Sequence, residues 1–70
     1  MAVKEYHVET DGKGKWHIRR DEQDRPFAFY NLMDAAESAA RVLAHQNEGQ
    51  VVVHEANGVL RKTDHRGRPL

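Results

Sequence analysis

The chain has no cysteine, which excludes a disulfide framework and any thiolate-ligated zinc site, the two usual staples of a domain this small. Stability has to come from packing, helped by self-association. No run approaches the ~18 apolar residues that a membrane span needs. The start, Met1-Ala2-Val3-Lys4-Glu5, shows neither an apolar signal region nor a lipidation motif. A reducing, cytoplasmic setting without membrane contact is the expectation. There is also no excess of one charge, since 11 basic and 11 acidic side chains cancel. Nucleic-acid modules usually carry a basic surplus, so the balance counts against that class.

What is present is 70 residues, about half of a typical domain of ~100 to 150 residues. The expected organisation is one α+β domain over residues 1–64 and a flexible basic tail over residues 65–70. Leu, Ile, Val and Phe together supply 14 residues, and eight alanines with three further aromatics extend the buriable surface to a thin but real core. Charge is unevenly spread. Residues 1–20 carry five bases and three acids, residues 21–58 two and seven, and residues 59–70 four and one. Both ends are basic, a distribution compatible with a polyanion-binding face, although short charged segments are more often simply solvated.

From Val3 to Glu9 the pattern alternates, with Tyr6 and Val8 on one face and Glu5, His7 and Glu9 on the other, the period of a half-buried strand. Lys15 to Arg20 repeats it, with Trp16 and Ile18 facing one way and Lys15, His17 and Arg19 the other. Keeping the apolar residues on one face requires an odd loop between the runs. A three-residue loop pairs Val8 with Ile18 and His7 with Arg19; a five-residue loop pairs Val8 with Trp16 and His7 with His17.

Asp21 to Pro26 reads as a loop leading to a short strand, Phe27 to Tyr30, with Phe27 and Phe29 pointing together. Asn31 is expected to cap a helix, with Asp34 supporting its first turn. The helix carries Leu32, Ala36, Ala39, Ala40 and Leu43 as its apolar stripe and stops near Asn47, with Gly49 as its left-handed end. Gln50 to Glu55 is a β-branched strand, and Asn57-Gly58 signals a hairpin returning through Val59 to Thr63. A two- or four-residue loop there puts Leu60 on the face of Val51 and Val53. The expected fold is therefore a two-layer α+β domain: an antiparallel sheet of four to five strands packed on one helix, in the order β-β-β-α-β-β. Its core would be Tyr6, Val8, Trp16, Ile18, Phe27, Phe29, Leu32, Ala36, Ala40, Leu43, Val51, Val53 and Leu60.

The Trp16-x-Ile18 strand, the Ala-rich helix, Gly49-x-Val51-Val52-Val53-His54 and the Gly58-x-Leu60 hairpin together resemble the small bacterial and phage family DUF 2188. The resemblance spans roughly residues 6 to 67 and implies a fold and a bacterial or phage source, not an activity. This chain has Asn31 where that family often starts its helix with Thr, and its Phe27-Ala28-Phe29-Tyr30 segment is more aromatic.

Five histidines invite a metal or acid-base hypothesis. His7 and His17 would oppose each other on the exposed sheet face in only one register, and His54 stands on another strand. Three converging ligands with supporting partners are not visible in the spacing, so no metal site and no cofactor are expected. No nucleophile stands in an elbow motif and the glycine-rich Gly12-Lys13-Gly14 lacks a following helix, so no catalytic residue and no small-molecule substrate are expected. The candidate surface is Lys15, His17, Arg19, His54, Arg61, Arg66 and Arg68. Its leading use is as a non-catalytic interaction module, a homodimer or an adaptor for a larger protein partner. The alternative is nucleic-acid binding by the basic sheet face and tail.

Overall fold

Alternating apolar positions put Tyr6 and Val8 of β1 (Glu5–Thr10) on the buried side of the sheet, 1% and 0% exposed. In the computed structural model, which describes residues 4–21 and 23–70, β2 (Trp16–Arg20) and β3 (Ala28–Tyr30) follow. Helix α1 (Met33–Asn47), β4 (Gln50–His54) and β5 (Leu60–Asp64) complete the chain. Val3, expected to open the first strand, and Glu22, expected in the loop after the second, lie outside the described residues. The five strands form one sheet in the order β3-β2-β1-β4-β5, with α1 on one face. Class and element order are those read from the sequence.

The first hairpin takes the register of the three-residue loop, with Val8 opposite Ile18 and His7 opposite Arg19. The sheet is mixed, however, not wholly antiparallel: β1 and β4 run parallel at its centre. Two hairpin reversals leave β3 running with β1. The helix then carries the chain back across the sheet, so β4 enters in that same direction.

Four residues expected in the core are exposed: Phe27 at 43%, Phe29 at 65%, Leu32 at 67% and Leu60 at 59%. For Phe27, Phe29 and Leu60 the cause is register; Leu32 stands outside the helix as its extended N-cap. In β3, Ile18 faces Ala28 and Trp16 faces Tyr30, so Ala28 and Tyr30 pack on the core and Phe29 joins His17 on the open face. In the last hairpin Glu55 N–H donates to Val59 O at 2.9 Å, which closes a three-residue loop, Ala56-Asn57-Gly58. Gly58 adopts φ +88°, which the tight loop requires of it. An odd loop puts Leu60 opposite His54 on the open face and turns Arg61 and Thr63 toward the helix.

The helix lies close to the sheet because its buried stripe is alanine: Ala36, Ala40 and Ala44 are each 0% exposed. It starts at Met33 with Leu32 as its extended N-cap and no side-chain cap. Asn31, the expected cap, instead accepts a hydrogen bond from Lys15 Nζ at 2.6 Å. At the other end the left-handed residue is Glu48, φ 53°, and not Gly49. Gly49 answers a different need, since a Cβ there would stand 2.6 Å from Lys4 O. Only glycine lets the chain pass this close to β1, where Gln50 N–H donates to Lys4 O at 2.8 Å.

Residues 65–70, set apart by their composition as a basic tail, turn back along β5. Thr63 bridges Pro69, and Leu70 N–H donates to Lys62 O at 3.1 Å. Asp64 holds the turn by accepting the Arg66 and Arg68 backbone N–H groups at 2.8 and 2.9 Å. Among the described residues no helix is long and apolar enough to cross a membrane.

Candidate functional site

The face of the sheet away from α1 gathers the side chains that alternation denies to the core. Pairing aligns His7 with Arg19 on β2 and Val52 on β4, and Glu9 with His17. One residue beyond the last parallel pair, Val8 with Val53, stands His54, which comes beside Glu9 and diagonal to His7. The strand spacing of about 4.8 Å in the sheet brings such neighbours into contact. Val52, flanked by these polar residues, is only 2% exposed although it faces away from the helix.

The result is a connected polar network. His7 Nδ1 lies 2.9 Å from His54 Nε2, and His7 Nε2 lies 2.9 Å from Asp21 Oδ1. A carboxylate only accepts, so His7 Nε2–H donates to Asp21. In the neutral ring Nδ1 then holds the lone pair that accepts from His54 Nε2–H. Glu9 Oε1 accepts from His17 Nε2 and Arg19 Nε, each at 3.1 Å, and Glu9 Oε2 from Arg19 Nη2 at 3.3 Å. Glu9 Oε2 also lies 3.7 Å from His54 Nε2. Glu5 sits at the margin, 3.3 Å from Lys62 Nζ.

These contacts set the charges. Burial works against the Glu9 carboxylate, but hydrogen bonds from Arg19 and His17 and the Arg19 charge outweigh it and hold its pKa below the ordinary value. The Arg19 guanidinium, hydrogen-bonded to Glu9, is pushed up. His54 is pushed down, first by burial and then by His7 and Arg19, against the opposing pull of Glu9. Its neutral form is thereby favoured.

Of the residues singled out from the sequence, His17, Arg19 and His54 meet on this face, and Lys15 stands in the loop beside it, bonded to Asn31. Arg61 does not join them: it is turned to the helix side and binds Glu37. Arg66 and Arg68 belong to the terminal turn. His7, which the sequence sets at the flank of this face, stands inside the network, and Glu9 and Asp21, which complete it, are not among the residues expected there. The alternation His7-x-Glu9 was a visible signal, but its convergence with His54 needs the parallel pairing of β1 and β4, which no local pattern announces. Within the network the ligand-capable atoms of His7, Glu9 and His54 lie within 4.8 Å of one another, as do those of Glu5, His7 and Asp21.

The model of the family described as "Uncharacterized protein conserved in bacteria (DUF2188)" matches residues 6–66 of the chain. Neither curated proteins nor solved structures yield a match.

Proposed function

From a chain that belongs to this bacterial family, we propose a non-catalytic cytoplasmic interaction module that pairs with a second copy of itself through the outer edge of β3. The observation that supports the reading is a run of exposed apolar side chains along the β3 edge, although Val59 and Leu60 at the start of β5 are exposed as well. Phe27 and Leu32, 43% and 67% exposed, flank β3, and Phe29, 65% exposed, lies within it; among the described residues β3 pairs on one side only. The opposite edge, β5, is partly covered by the returning C-terminal residues. An unpaired edge carrying large apolar side chains favours pairing with another chain. A two-fold axis at Phe29 would set Phe29 against its symmetry mate and Ala28 against Tyr30 in an antiparallel pair.

Sedimentation equilibrium tests this. A dimer at micromolar concentration that Phe29→Lys converts to monomer is the expected result. A chain that stays monomeric to high micromolar concentration overturns self-association and leaves only the adaptor for a different protein. Of the bases named for the nucleic-acid alternative, Arg19 is paired with Glu9 and Arg61 with Glu37 and Glu55, whereas among the described residues no carboxylate pairs with Lys15, Arg66 or Arg68.

A further inference from the structure

We propose that His7 Nδ1, His54 Nε2 and Glu9 Oε2 form a binding site for one divalent transition-metal ion, with Zn²⁺ the best fit. Zinc binds imidazole nitrogen and carboxylate oxygen at about 2.0 to 2.2 Å, so tetrahedral ligand atoms stand about 3.4 Å apart. The two separations at His54 Nε2, 2.9 Å to His7 Nδ1 and 3.7 Å to Glu9 Oε2, bracket that distance. The third separation, between His7 and Glu9, lies within 4.8 Å. The ligands stand on adjacent strands at the centre of the sheet, a rigid support.

The neighbours of these atoms fit the same assignment. His7 already donates Nε2–H to Asp21 at 2.9 Å, the carboxylate–histidine arrangement that fixes the tautomer and strengthens Nδ1 as a ligand. Glu9 is held through Oε1 by His17 and Arg19 and through one lone pair of Oε2 by Arg19 Nη2 at 3.3 Å, which leaves the other lone pair of Oε2 for the ion. An ion replaces the single proton shared by the two facing rings, once His54 moves its own proton to Nδ1. Glu5, Glu9 and Asp21 outweigh Arg19 and Lys62 in charge around the site. The His54 side chain is 33% exposed, so the fourth position opens to water. Two imidazoles and one carboxylate favour zinc, nickel or copper over magnesium or calcium.

Calorimetric titration of the full chain with ZnCl₂ in a non-chelating buffer tests the site. One equivalent should bind, and His54→Ala, His7→Ala and Glu9→Gln should each weaken binding at least tenfold. Asp21→Asn should weaken it by about 10 to 100-fold through His7. His45→Ala, which removes a ring from the separate His45–His65 pair, should change nothing. Circular dichroism establishes which variants fold. Because His7 is also held in the network of the sheet, the unmodified chain is followed by NMR as well, where Zn²⁺ should shift the ring signals of His7 and His54 before those of His45 and His65. Absence of binding, undiminished binding by folded His54→Ala, or ring shifts confined to His45 and His65 would each overturn the site.

Discussion

Arg61 grips Glu37 with both terminal nitrogens, Nη2 to Oε1 at 2.9 Å and Nη1 to Oε2 at 3.0 Å, and so ties the edge strand β5 to the helix. Arg41, one turn along α1, adds a third bond to Oε2 at 3.0 Å. The Arg61 hydrogen bonds, opposed by burial and reinforced by the charges of Arg61 and Arg41, hold the Glu37 carboxyl below its ordinary value of 4.5. A carboxylate with a depressed folded-state pKa stabilises the fold fully above its unfolded value, and that contribution disappears as pH falls through the folded value. Glu37→Gln should therefore cost about 1 kcal/mol at neutral pH, a figure reduced from the buried-pair range because Arg61 is partly exposed. Urea midpoints of the two proteins should differ near pH 7 and converge in acid. A difference that persists unchanged below the carboxylate range would show that the ionised pair is not its source.

The junction between α1 and β4 yields two substitutions of opposite sign. Gly49→Ala sets a Cβ 2.6 Å from the Lys4 carbonyl oxygen and 3.3 Å from Tyr6 Cε2, so the backbone must shift. A loss on the order of 1 to 3 kcal/mol is expected. Glu48→Gly relieves a non-glycine residue at φ 53° and should stabilise by about 0.5 to 1 kcal/mol. Thermal melts of both variants check the pair. A stabilising Gly49→Ala would mean that β1 and the junction are less tightly apposed than 2.6 Å implies.

Thr63 faces the helix side of β5 at 6% exposure, and its hydroxyl has no hydrogen-bond partner among the described residues. A buried hydroxyl without a partner costs about 1 to 3 kcal/mol, and valine has the same shape without that penalty. Thr63→Val should raise the urea midpoint by an amount equivalent to roughly 1 kcal/mol, with the slope unchanged. A lowered midpoint would place a hydrogen-bonding partner, such as a water, at Oγ1.

The ion pairing of the open face also bears on nucleic acid. Fluorescence polarisation with duplex DNA and with RNA at about 50 mM salt should detect no binding, and Lys15→Ala with Arg19→Ala should leave the result unchanged. Saturable binding that falls steeply by about 200 mM salt and flattens in the double variant would restore the nucleic-acid reading.

Much of the scaffold was legible because it obeys local periods. The alternation of Tyr6 and Val8, and of Trp16 and Ile18, identified two strands, their inner faces and the two registers, one of which is observed. The spacing of Ala36, Ala40 and Leu43 identified the helix and the side that meets the sheet. The errors fall where one residue of loop length decides a whole face. Asn57-Gly58 suggests an even loop, which would turn Leu60 inward, whereas the bond from Glu55 to Val59 closes an odd one. Phe27 and Phe29 alternate as correctly as any core pair, but β3 shows its other face, Ala28 and Tyr30, to the helix.

The sequence by itself determined the elements, their order and most of the apolar side, because hydrophobic burial and backbone alternation act within a few residues of one another. Only the tertiary structure decided that β4 enters beside β1 and parallel to it, since the direction of a strand after a helix depends on the path of the whole chain over the sheet. That choice sets His54, 47 residues away in the chain, 2.9 Å from His7. Through-space contact of this kind arises from packing geometry. It leaves no trace in the spacing of either residue along the chain.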